Sequence, residues 1–351
     1  MGVNVKKFGQ YLESQRKCSN FVGKYYTQNM DKDHKIWEMS DADFLKFDIP
    51  KFVFDPNTPK RITYEQKVQC AYHNCTCDAI NSHLLQKNLW LKRIAEGGKV
   101  LQMSDSQMQP LLDGDENGNI YSLHSIKNAM SLPIYCKQHD QKLFKGFEEK
   151  ELDLNNALHL LKLSYRAFCA SIAQEKRRNL FYDINPQINT FCVGPFFDEQ
   201  RAYSTYVIEV LEQYLDDLYQ HVKAKDTSDF VFKVLHINKL SLCLSDVYVS
   251  ENVFSDAYEQ KESNPKLFPI FMHALPYETE TVLIYGYDKR QCNSSVISYI
   301  EKWSESIPDD IITEWLVMAD KWCVAPSFFG DNAEDCCEEI FRRKLNLQYG
   351  I

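Results

Sequence analysis

Three cysteines and two histidines crowd one stretch of the chain, VQCAYHNCTCDAINSHLLQKN at residues 68–88, and a further Cys/His pair stands downstream in SLPIYCKQHDQKLF at 131–144. Thiolates and imidazoles in sets of four are the preferred surroundings of a structural zinc ion. Cys70 and Cys75 form a C-x4-C pair, and Cys136 and His139 form a C-x2-H pair. The spacing therefore predicts one zinc ion held by Cys70, Cys75, Cys136 and His139. His73 and Cys77 lie beside the first pair and could replace either of its members. The long gap between the pairs excludes a short zinc finger and suits a treble clef, in which a knuckle and a helix start supply one pair each. The competing reading is a set of buried free thiols that packs as small apolar groups.

With zinc ligated, two residues are left over beside the ligands: His83, at the end of DAINSH, and Asp140, directly after His139. This order resembles the zinc-containing form of the HNH (ββα-metal) endonuclease family. The resemblance covers residues 68–144 and implies His83 as general base and Asp140 as ligand of a catalytic Mg²⁺ or Mn²⁺. In such a site a histidine deprotonates water while the cation stabilises charge on the phosphate. The chain departs from the family pattern at Ser82, where an acidic residue is usual, at Asp140, where Asn or His is usual, and in its C-x4-C spacing. A noncatalytic treble clef is the alternative, with His83 packing the knuckle and Asp140 orienting a ligand. More weakly, CAYHNC, AINSHLLQKN, LKRIAEGGKV and YCKQHDQKLF together look like bacterial proteins associated with anti-phage defence.

Charge divides the chain. Of its 351 residues, 40 are Lys or Arg and 49 are Asp or Glu, for a net charge of −9. Residues 1–150 carry 21 basic and 18 acidic side chains, the remainder 19 and 31. Phosphate binding needs a basic footprint, so only the first part could face DNA or RNA, and the acidic second part suits a protein partner. LQKNLWLKR offers Lys87, Lys92 and Arg93 around Trp90 as a nucleic-acid face, or simply a solvated helix. No apolar run reaches the length of a membrane span, and MGVNVKKFGQ lacks a secretory pattern. A cytoplasmic, reducing setting is expected, in which clustered cysteines bind metal.

These residues need elements to position them. Residues 1–60 read as a lead-in, with an amphipathic helix over 5–30 and a proline-rich connector over 47–61. Residues 61–150 read as the zinc-binding HNH-like module, and 151–351 as an α+β sensor or partner-binding domain, making the chain α+β overall. DGDENGN at 113–119 reads as a turn between the strands KVLQM and IYSLHSI; it resembles a calcium loop but has His124 where the closing Glu belongs. Periodicity predicts helices over 151–180 and 200–223, the second following a strand at NTFCVGPFF. Lys176, Arg177 and Arg178 would close the first of these. DFVFKVLHI and LSLCLSDVYVS read as a hairpin, ETVLIYGYD as a third strand, and 296–303 and 309–322 as helices. Cys336 and Cys337 have acidic neighbours, which argues against an activated nucleophile.

Overall fold

The computed structural model describes residues 69–72, 75–103, 121–148, 152–184 and 194–349. The lead-in helix, the connector, the 113–119 turn and His73 lie outside these residues. The fold is mixed α/β. Among the described residues the strands are β1 Ile80–His83, β2 Lys99–Met103, β3 Tyr121–Ser125, β4 Ser131–Tyr135, β5 Phe230–Asn238, β6 Leu242–Tyr248, β7 Ile270–Pro276, β8 Glu280–Asp288 and β9 Trp322–Val324. Seven form one sheet in the order β3-β2-β9-β6-β7-β8-β5, while β1 and β4 make a separate two-stranded ladder. Every pairing is antiparallel.

The central strands are buried on both faces, so β7, IFMHALP, reads as a near-continuous apolar run instead of an alternating one. Alternation survives in the direction of packing. Cys243, Phe271, Leu275, Val282 and Ile284 enter one core, and Leu244, Met272, Ala274, Leu283 and Tyr285 the other. The first core is covered by helices α2 (Ala157–Ile184) and α3 (Gly194–Ala224), which follow α1 (Lys137–Glu148). The second is covered by α5 (Ser294–Glu301), α6 (Pro308–Met318) and α7 (Ala333–Tyr349), with the short α4 (Glu251–Glu259) between β6 and β7.

Several expectations are corrected. β5 and β6 are neighbours in sequence but do not pair: β5 runs along β8 for nine residue pairs, and β6 lies between β7 and β9. Burial explains the separation, because LCLSDV is buried at every position and needs a central place, whereas β5 exposes Lys233, His236 and Asn238 and suits an edge. Gly286 faces Phe232 across β5 and β8, where a Cβ would collide with the Val231 carbonyl. Gly194–Phe197 open helix α3 instead of ending a strand. Helix α6 stops at Met318, and Trp322 joins β9; Lys344 Nζ caps the freed carbonyl of Ala319 at 2.7 Å. α2 begins at Ala157 because the Asn156 carboxamide accepts the Leu158 N–H at 3.1 Å. It runs past Arg178, and Lys176 pairs with Glu212 of α3. β2 and β3 join the large sheet through β9, so that sheet crosses the boundary expected at residue 150.

A buried histidine ties α2 to the sheet. Ser164 Oγ donates to the Leu160 carbonyl at 3.0 Å, which uses its one hydrogen. It must therefore accept from His273 Nε2 at 3.0 Å, leaving Nδ1 to accept from Ser245 Oγ at 3.1 Å. This arrangement suits only the neutral ring, and burial lowers the His273 pKa to about 3. The folded-state value lies below the unfolded one, so the stability it contributes is complete above pH 6.5 and is lost as pH falls towards 3. In urea titrations, wild type should lose about 1.4 kcal/mol per pH unit from this group over that window. His273→Gln should be less stable at pH 7 and lack this one-proton component; equal pH slopes for the two proteins would refute the assignment.

Candidate metal centre

Strand β4 delivers Cys136 to the start of helix α1, and the first turn of that helix brings His139 back beside it: Cys136 Sγ lies 3.3 Å from His139 Nδ1. The other pair comes from a tight knuckle closed by the Gln69–Asp78 bridge. Within it Cys70 N–H donates to the Cys77 carbonyl at 3.0 Å, and Cys75 N–H to the Tyr72 carbonyl at 3.0 Å. Ala71 N–H donates to the Ile134 carbonyl at 2.8 Å and Cys136 N–H to Cys70 Sγ at 3.1 Å, so the knuckle is sewn to β4.

The four side chains converge. Cys70 Sγ lies 3.6 Å from His139 Nδ1, Cys75 Sγ 4.0 Å from Cys136 Sγ, and all four donor atoms fall within 4.8 Å of one another. A tetrahedral ion with bonds of about 2.0 to 2.3 Å requires donor separations of roughly 3.5 to 3.8 Å. The donor set therefore fits a thiophilic metal such as zinc, held by Cys70, Cys75, Cys136 and His139. Cys77 stands outside the group, exposed to solvent.

The surroundings fix the donors. The His139 ring stacks on Tyr72 at 3.8 Å between centroids and 14° between planes, and Tyr219 of α3 donates its hydroxyl hydrogen to the Tyr72 hydroxyl at 3.1 Å. Burial pushes the Cys70 thiol up to about 12. Burial also acts upward on Cys136, but the backbone N–H of His139 and the neighbouring thiols outweigh it and bring that thiol below its ordinary value. A bound cation favours the thiolate form of all three sulfurs.

The two residues beside the ligands have partners of their own. His83 ends β1, and since a carbonyl oxygen only accepts, its Nε2–H donates to Ile126 O at 3.1 Å, leaving Nδ1 as the proton acceptor. Burial lowers its pKa below the usual imidazole value, outweighing the opposite effect of the Ile126 carbonyl. Asp140 lies in the first turn of α1, where its Oδ1 accepts from Arg166 Nη2 of α2 at 3.1 Å; the side chains are 22 % and 2 % exposed. The Arg166 guanidinium also lies 3.7 Å from the centroid of the Phe144 ring. Arg166 went unnoticed in the sequence, though a charge within the run LSYRAFC signals a buried ion with a dedicated partner.

The basic helical face expected at Lys87–Arg93 is not a stacking platform. Trp90 is only 5 % exposed and packs edge-on to Tyr277, while Arg93 lies over both rings and donates to the Pro276 carbonyl at 3.2 Å. Burial pushes the Cys337 thiol up to about 12 and also raises Cys336, in keeping with inert thiols. Among the described residues no helix is long and apolar enough to cross a membrane. No protein-family model, curated protein or solved structure matches the chain.

The ligand choice is open to direct measurement. The purified protein should carry one equivalent of metal per chain by elemental analysis, Cys136→Ser should lose it and Cys77→Ser should keep it. Chelation should lower Tm by more than about 5 °C, because ion binding is part of the folding free energy. Full metal content in Cys136→Ser would remove the site as drawn.

Proposed function

We propose that the chain is a zinc-organised interaction protein in which an HNH-like unit is noncatalytic. Three sulfurs and one imidazole nitrogen make a soft donor set without an obvious open position, which favours zinc in a structural role. The knuckle, the β1–β4 ladder and helix α1 follow one another in the order of a treble clef, which supports the family resemblance at that level.

The observation that carries the reading is the Arg166–Asp140 contact. An HNH-type nuclease needs its metal-binding residue open to a divalent cation, and here a guanidinium occupies the neighbourhood of the candidate carboxylate, Asp140. Ser82 brings no second carboxylate: it is buried, with its hydroxyl turned to the Ile80 carbonyl. A divalent ion at Asp140 would meet a buried positive charge, a repulsion on the order of several kcal/mol at about 4 Å. The positive charge is already supplied from within the chain. The partner suited to the acidic second part is another protein, since its net charge disfavours phosphate backbones.

Phosphodiester hydrolysis is the second reading, and the His83 ring favours it. Its Nε2–H is engaged by Ile126 and its other nitrogen is the acceptor, the form that a general base requires. His83 would then take a proton from water and Asp140, released from Arg166, would bind Mg²⁺ or Mn²⁺. Protein containing one zinc per chain, incubated with single- and double-stranded DNA and RNA and either cation, should cleave none of them above the background of His83→Ala. Cleavage that falls at least 100-fold in His83→Ala and Asp140→Ala, with zinc content and circular dichroism unchanged, would establish the nuclease instead.

A further inference from the structure

Strand β5 ends the seven-stranded sheet, and among the described residues no strand pairs with its outer side. Its register fixes which backbone groups that side presents. Phe230 stands opposite Asp288, so Asp229 stands opposite Lys289, and the Lys289 N–H donates to the Asp229 carbonyl at 2.9 Å. Hydrogen-bonding direction alternates along an antiparallel strand. The odd-numbered residues of β5 therefore face β8, and the even-numbered ones turn their N–H and C=O outward. The Phe230 N–H is taken by the Thr227 carbonyl at 3.1 Å, which leaves the donors of Phe232, Val234, His236 and Asn238 along the edge. The apolar side chains of this strand are incompletely covered: Phe232 and Val234 on the first core, and Val231, Leu235 and Ile237 on the second, are each only half-buried.

We infer that β5 is an interface between two copies of this chain, joined by antiparallel β5–β5 pairing about a two-fold axis at Val234. The inference goes beyond the function proposed above and does not depend on the metal centre. Two-fold pairing matches the strand to itself, and since only even-numbered residues offer outward hydrogen bonds, they bond to even-numbered residues of the other copy. Centred on Val234, β5 overlaps itself along its whole length. Phe232 then lies opposite His236, Val231 opposite Ile237, and Lys233 opposite Leu235. The residues flanking the strand meet as opposite charges, Asp229 of one copy across from Lys239 of the other, at both ends of the seam. Each has a contact within its own chain, Asp229 with Arg290 Nε at 3.5 Å and Lys239 Nζ with the Glu278 carbonyl at 2.8 Å, and Lys239 is exposed. Charge also excludes the neighbouring registers. A slip of two residues one way sets Lys233 directly against Lys233, and a slip the other way sets Lys239 against Val231 and Asp229 against Ser241, losing both ion pairs. Lys233, an exposed charge in the middle of the edge, thus deters indiscriminate pairing and admits this one.

The test is the mass of the full chain in solution, followed by sedimentation equilibrium over a concentration series. Wild type should approach twice the chain mass. Val234→Pro removes an outward N–H while leaving the β8 ladder its own bonds, so this variant should be monomeric with unchanged circular dichroism. Lys239→Glu, at an exposed position, should raise the dimer Kd about tenfold, and adding Asp229→Lys should bring it back towards the wild-type value. The charge-swapped pair decides the case even where Val234→Pro does not fold. A wild type that stays monomeric at the highest concentration would overturn the second copy as occupant and leave the edge to an extended segment of another protein. A dimer whose Kd Lys239→Glu leaves unchanged would overturn this register of β5, whatever the metal content of the protein.

Discussion

Helix α2 is buried on almost every side from Leu160 to Ala170, and the rest of the molecule is arranged around the polar groups it carries into that burial. Ser164 reaches the sheet through His273, and Arg166, two residues on, reaches helix α1 of the Cys/His unit through Asp140. Residues two apart on a helix point in widely different directions, so one segment addresses both neighbours. An unpaired guanidinium at this depth would be costly, which makes the position of α1, the helix that bears Asp140, part of the same constraint. The knuckle, in turn, is sewn to β4, and β4 packs against α2.

That dependence also accounts for what was legible in the sequence. Cys136 and His139 could be placed together because a three-residue spacing at a helix start has one geometry, and Cys70 and Cys75 because a short knuckle has few. Strands β7 and β8 announce themselves by composition. The partner of each strand does not, since β5 and β6 satisfy every local rule for a hairpin and are separated only by their different needs for burial. Trp90 carries the same lesson: flanking basic residues suggest a platform, and only the position of Tyr277, far along the chain, shows that its face is occupied. Arg166 was hidden for the opposite reason, because the apolar periodicity around it draws attention to packing and away from the one charge that packing must accommodate.

The electrostatics of the unit follow a division of labour. Soft donors gather where a cation would compensate three sulfurs, and the nearby carboxylate is compensated by a guanidinium from another element. The two arrangements sit on successive residues, His139 and Asp140, so the first turn of α1 faces the Cys/His donor group on one side and the α2 ion pair on the other. The orientation of that turn is therefore tied twice, once to the Cys/His donor group through His139 and once to a charged hydrogen bond through Asp140.

The short strand β9 has a consequence for the way the molecule is made. Two of its residues, Cys323 and Val324, pair with β2 on one side and all three pair with β6 on the other, so β9 meets a strand about 220 residues earlier in the chain. During synthesis the knuckle, β2 and β3 leave the ribosome long before Trp322–Val324 exist. Until then β2 has one edge without its final neighbour, exposed to other nascent chains. Trp322–Val324 thus complete a sheet begun by β2 and β3, and a protein stopped short of residue 322 would lack the strand that joins β2 to β6.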